Sequence, residues 1–181
     1  MTVIFSTIHG SRLYGLDHAD SDYDTYTVVT NDHDFSESGL RRGQHVRSFA
    51  DGPNEDDVVV TLNEFLKRVG KGSHQACEAL FSQEKVLGEG WVTWGPLLNA
   101  VRITSPDAFY AYERTIRKFA FGDFKRRRHA IRLAGDLWYL RMWGEFNPRM
   151  TQAEVQYATR LAEVASGNAL LRRLDIPPSD G

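Results

Sequence analysis

The chain is poor in cysteine. Cys77 is the single one among 181 residues, so neither an internal disulfide nor a multi-cysteine zinc site can form, and a reducing compartment suits the composition. The six histidines lack zinc-ligand spacing. No stretch approaches about 18 consecutive apolar residues, the length a membrane-spanning helix needs, so no membrane partner is expected. The N-terminal residues lack a basic segment leading into a long apolar run, so no signal peptide is expected and the reading is cytoplasmic. Internal repeats and low-complexity tracts are absent. Net charge is also scarce: the formal value is -2 with a pI near 6.3, so the field of the whole molecule neither demands nor repels nucleic acid.

What is present is unevenly placed. Hydrophobic residues make up 41% of the chain and aromatics 12%, enough to bury a core. Between Asp17 and Glu64 twelve acidic residues face three basic ones, whereas Tyr112 to Arg141 holds nine basic and three acidic. An acidic cation-binding part and a basic anion-binding part are implied.

Periodicity separates the same two parts. Val3 to Ile8 reads as a strand leaving through Gly10-Ser11, with Ser11 placed to cap a short helical turn. Asp17 to Ser21 is turn chemistry, and Tyr23 to Thr30 a β-branched, aromatic strand. Asn31 to Asn54 is a polar loop with a brief strand at His45 to Phe49, and "DVVVTL" is a further strand passing into helices over Asn63 to Val69 and Ser73 to Phe81. After Pro106 the period becomes helical: Phe109, Tyr112, Ile116 and Phe119 form one stripe, Ala130, Leu133, Leu137 and Leu140 another, with Gly122 between. Thr151 and Glu154 form a capping box for a last helix that fades after Ala165, and "DIPPSDG" reads as a loose end. The expected fold is α+β, a small mixed β-sheet with flanking helices over residues 1–103, followed by a helical lobe over 104–176 and a flexible tail, 177–181.

The chemistry concentrates in "HGSRLYGLDHADSDYD", residues 9–24. Strand residues two apart point the same way, so Asp22 and Asp24 set two carboxylates on one face, which repel unless a cation is shared. A lone D-x-D more often marks a polar strand end than a metal site. A calcium loop starting at Asp20 fails at its sixth and twelfth positions, Thr25 and Asn31, where Gly and Glu are needed. Mg²⁺ suits a few carboxylates plus substrate phosphates. Two such ions about 3.5–4 Å apart are the usual device for phosphoryl chemistry. Gly10, without a Cβ, would let a triphosphate approach the backbone.

The order strand, Gly-Ser turn, strand opening on D-x-D resembles the signature of the DNA polymerase beta-like nucleotidyltransferase superfamily. Within it, "GSRLYGL" and "SDYD" look like the predicted nucleotidyltransferases of the RNA repair-associated family. "DVVVTLNEFLKRVGKGSHQACEALFS" and "KRRRHAIRLAG" are similar to that family's strand-helix segment and basic helix. Ser73-His74 departs from an Asn-Pro found there. The resemblance spans about residues 5 to 150, patchily. It implies a palm-like sheet and a metal-dependent transfer of NMP from an NTP to a hydroxyl, with an RNA end as leading acceptor and pyrophosphate released. A protein acceptor, as in antitoxin-like nucleotidyltransferases, and a non-catalytic nucleotide or RNA binder are the alternatives.

Position by position, the resemblance implies Gly10 and Ser11 for the triphosphate, and Asp22, Asp24 and a third carboxylate for Mg²⁺ or Mn²⁺. Asp57 is the choice for the third because it abuts the apolar strand; Asp56 is the alternative. Lys118, Lys125, Arg128 and Arg132 are the expected nucleotide-binding cations, with Lys125, Arg128 and Arg132 at i, i+3 and i+7 on one helix side. Arg126 and Arg127 read as solvated surface. Glu78 sits among apolar residues, where a charge needs a partner, so it should brace an arginine of the helical lobe. His9 reads as structural, Trp138, Tyr139 and Trp143 as core, and Tyr14 and Tyr26 as weak candidates for base stacking.

Overall fold

The computed structural model describes residues 2–16, 24–30, 45–47 and 56–177, and at 45–47 and 56–57 the backbone alone. Expectations for the turn at Asp17 to Ser21, for Asp22 and Tyr23, for most of the 31–54 loop and for the last four residues lie outside them. The fold is α+β. Strands β1 (Val3–His9), β2 (Asp24–Val29), β3 (His45–Arg47), β4 (Asp56–Thr61) and β5 (Lys85–Leu87) form one mixed sheet in the order β3-β4-β2-β1-β5. β2 runs parallel to β4, and the other neighbouring pairs are antiparallel.

Alternation explains which face is covered. Phe5 pairs with Val28, Thr7 with Tyr26, Tyr26 with Val58 and Val28 with Val60, and these six residues are all buried. Phe5, Tyr26 and Phe65 meet there, with Phe5 and Phe65 centroids 5.6 Å apart and Tyr26 and Phe65 6.0 Å apart. The opposite face carries the Ser6 to Thr27 hydroxyl pair at 2.9 Å, a polar cross-strand contact suited to a wetter surface.

Among the described residues eight helices follow or punctuate the sheet: α1 (Ser11–Tyr14), α2 (Leu62–Gly70), α3 (His74–Phe81), α4 (Trp91–Ala100), α5 (Pro106–Ala120), α6 (Phe124–Trp143), α7 (Gln152–Val164) and α8 (Gly167–Arg173). Thr61 caps α2, Asp123 caps α6, and the Thr151–Glu154 capping box of α7 is formed. Ser11 does not cap α1: Gly10 occupies that position and no side-chain cap forms. β5 and α4 have no counterpart in the sequence reading, and the last helix is followed by α8 after a two-residue break. Among the described residues no helix is long and apolar enough to cross a membrane.

One buried cluster runs from Ile4 and Phe5 through Cys77 to Tyr112, Leu133 and Leu170, so sheet and helical part share a continuous core. Gly72 shows how closely they approach: it has φ +69°, and a Cβ there would lie 2.5 Å from the Ala108 backbone. The α6 stripe is buried as expected, but Trp138, Tyr139 and Trp143 are not core; they are 56%, 42% and 64% exposed. The loose end is also partly tied down, since Ile176 is buried and Arg117 Nε donates to the Pro177 carbonyl at 2.8 Å.

Candidate active site

β1 ends at His9, which pairs with Asp24 at the start of β2. The face that buries Tyr26 and Val28 therefore terminates in the Asp24 carboxylate at the corner where the chain turns through Gly10. Gly10 has φ +77° and ψ -157°, a combination open essentially to glycine alone. A Cβ there would meet Asp24 Oδ2 at 2.6 Å. Backbone conformation and the neighbouring carboxylate thus both require glycine. His9 is buried and meets Tyr26 edge-on, with centroids 6.2 Å apart, consistent with a structural role.

The third strand comes up beside this corner. Asp57 is the Cα partner of Thr25 in the parallel β2–β4 ladder. Carried back one residue, the same register sets Asp56 level with Asp24. Of the three expected metal-binding acids, only Asp24 has a described side chain. Among the described residues no group of three or more His, Cys, Asp or Glu gathers to hold a metal.

Behind the corner lies a buried ionic knot. Tyr14, at the end of α1, donates its hydroxyl to Glu78 Oε2 on α3 at 2.5 Å. Arg132 on α6 reaches Glu78 Oε1 and Asp136 Oδ2, each at 2.8 Å. Its guanidinium also lies 3.6 Å over the centre of the Tyr14 ring, a desolvated cation–π contact. Glu78, as expected, braces an arginine of the helical part. Two further hydrogen bonds hold the segment after the turn: Arg128 Nη2 donates to the Leu16 carbonyl at 3.0 Å, and the Met150 N–H to that of Tyr14 at 3.2 Å.

Burial sets the protonation of the knot. Burial alone would raise the Glu78 pKa, but Arg132, His74 and the hydrogen bonds from Tyr14 and Arg132 overcome it, so Glu78 is held below the ordinary carboxylate range. Asp136 goes the other way, raised to about 8 by burial and by Glu78 and Glu154 against the pull of Arg132. Burial and Glu78 raise the Tyr14 phenol. Burial, with Arg132, lowers His129 to about 4. The knot thus pairs an arginine cation with a glutamate held ionised, beside an aspartic acid that keeps its proton to higher pH than an ordinary carboxyl.

The expected cations part company here. Arg132 is 4% exposed and committed to two carboxyl groups, so it lies in the core and not on an open helix side. Arg128 lies against the segment after the turn, its guanidinium 5.3 Å over the Phe124 ring. Lys118 and Lys125 are exposed and make no hydrogen bond or ion pair with a described residue. Tyr14 and Tyr26 are buried, which closes both rings to a stacking base. Asp136 was missed by sequence reasoning; it lies four residues after Arg132, a spacing that pairs side chains on a helix. Compared with protein-family models, curated proteins and solved structures, the chain matches none.

Proposed function

We propose that the protein is a metal-dependent nucleotidyltransferase that moves an NMP from an NTP to a hydroxyl, with an RNA end as leading acceptor and pyrophosphate as second product. The observation that carries this reading is the Gly10–Asp24 corner, where glycine is demanded twice and a carboxylate ends the buried face of the sheet. Asp24, with Asp22 and a β4 acid, would hold Mg²⁺ or Mn²⁺; the bound ions would polarise the transferred phosphate and lower the pKa of the attacking hydroxyl. The backbone register favours Asp56 as the acid beside Asp24, with Asp57 as its alternative. Arg128, already held against the segment after the turn, is the cation best placed to neutralise phosphate charge. Arg132 serves as the brace of that segment and leaves the triphosphate to others.

Incubation with each α-labelled NTP, Mg²⁺ or Mn²⁺, and either RNA or candidate proteins tests this directly. Label on RNA supports the reading, and label on a protein moves the acceptor to the antitoxin-like alternative. No label on any acceptor, with NTP still bound, makes the chain a non-catalytic binder.

A further inference from the structure

A cavity of about 460 Å³ opens between α6, α7 and the 147–151 turn. Asp136 and Arg132 line its floor, Ile131, Met150 and Leu174 its walls, and Tyr139 and Tyr157 its rim. Both tyrosines are largely exposed, at 42% and 58%. The lining cations are already engaged, Arg132 with Glu78 and Asp136, and Arg149 with Glu84. The carboxyls are less so. Asp136 is 6% exposed, its Oδ2 takes Arg132, and its Oδ1 has no partner among the described residues. Glu154 gives Oε2 to the Thr151 N–H and hydroxyl, which leaves Oε1 open.

We propose that this cavity binds an organic cation with N–H donors, a guanidinium or primary ammonium on a short apolar stem, whose head bonds Asp136 Oδ1 and whose stem lies between Tyr139 and Tyr157. The charge balance points there: with Asp136 ionised, Arg132 faces two carboxylates, and a bound monocation neutralises the excess. Tyrosine rings at the mouth add cation–π attraction, and the aliphatic walls suit a stem better than a hydrated metal ion. The site stands apart from the Gly10–Asp24 corner and does not depend on the transfer reading.

Binding should be linked to a proton. Asp136 faces Arg132 on its own helix, Glu78 and Cys77 on α3, Glu154 on α7, Tyr14 on α1 and Tyr112 on α5. Burial and the two glutamates keep its proton near neutral pH, so a cation that needs the carboxylate must release it. Affinity should rise with pH toward 9 and level off above the Asp136 pKa.

The test titrates butylguanidinium and its neutral isostere butylurea into the intact protein, followed by calorimetry and by the resonances of Tyr139 and Tyr157. Butylguanidinium should bind at least about tenfold more tightly than butylurea, because the charged donor meets a carboxylate with little solvent around it. Asp136→Asn should erase the preference, and Tyr157→Ala, an exposed change that leaves the knot intact, should weaken the cation alone. Agmatine and a capped arginyl peptide then separate a free amine from a protein side chain, the tighter of the two naming the source. Equal affinity for the urea, tighter binding of neutral adenosine, or no binding of butylguanidinium at millimolar concentration overturns the proposal.

Discussion

The two ends of α1 meet two different groups of charged residues, Asp24 beside Gly10 at one end and the knot around Tyr14 at the other. At the Gly10–Asp24 corner the half-buried Asp24 carboxylate stands at the start of β2. In the knot, Tyr14, Glu78, Arg132 and Asp136 are buried and answer one another by hydrogen bonds of 2.5 to 2.8 Å. The knot is structural because its charge is matched from within, whereas the corner is where the proposed transfer would place its bound ions. Stability and activity should accordingly respond to different residues.

The largest effect on folding should come from Arg132→Met. Removing the one cation between two buried carboxyls costs about 3–5 kcal/mol when a partner of a buried pair is left behind, measured by urea unfolding. Next comes pH. An isolated carboxyl titrates near 3.9, but Asp136 holds its proton in the folded chain to about 8. Between those values the folded state carries a proton that the unfolded chain has lost, so this group's contribution falls as pH rises, by at most about 1.4 kcal/mol per pH unit. Glu78, held low, contributes the opposite way: its stabilisation is fully present above the ordinary carboxylate range and is lost as pH falls through its depressed folded pKa. Comparing unfolding of the wild type and Asp136→Asn at about pH 5 and about pH 8 should show the slope in the wild type and its loss in the variant.

Gly10→Ala should cost roughly 1–3 kcal/mol for the backbone conformation and should also displace Asp24. It is the variant in which melting and transfer should both fall. Tyr14→Phe removes the donor to Glu78 Oε2 and should lose about 1–2 kcal/mol, with transfer reduced only as far as the segment after the turn loosens. Asp24→Asn should change stability least, by under about 1 kcal/mol in thermal melting, while transfer disappears. If Asp24→Asn unfolded the chain and Arg132→Met did not, the contrast between the two regions would be reversed.

Much of this layout can be read in the sequence, and where it cannot the reason is physical. Val58 and Val60 announce their strand because a buried strand is β-branched, and Leu133, Leu137 and Leu140 announce their helix because its stripe is regular. Glu78 announced a partner because a charge among Ala76, Cys77 and Leu80 is expensive alone. Which arginine answered was hidden, since Arg132 stands in a basic run and shares the i, i+3, i+7 spacing of Lys125 and Arg128. The signal lay in its flanks, Ile131 and Leu133, and in Asp136 one turn later. Trp138, Tyr139 and Trp143 look like core by composition, yet they fall off the Leu133–Leu137–Leu140 stripe and so face outward. α4 was obscured by Pro96 inside it, although Trp91, Trp94 and Leu98 keep helical spacing. β5, three residues long, is too short for periodicity to reveal. At the corner, Gly10 and Asp24 were legible because glycine and D-x-D carry geometry in their identity. The pairing of Asp57 with Thr25 depends on the sheet register, which strand pairing alone determines.

The most direct measurement is transfer of label from an α-labelled NTP to RNA by the wild type and by Asp24→Asn, compared where both are shown by melting to be folded. The account predicts incorporation by the wild type and none above background by the variant. Equal incorporation by the two proteins would contradict it.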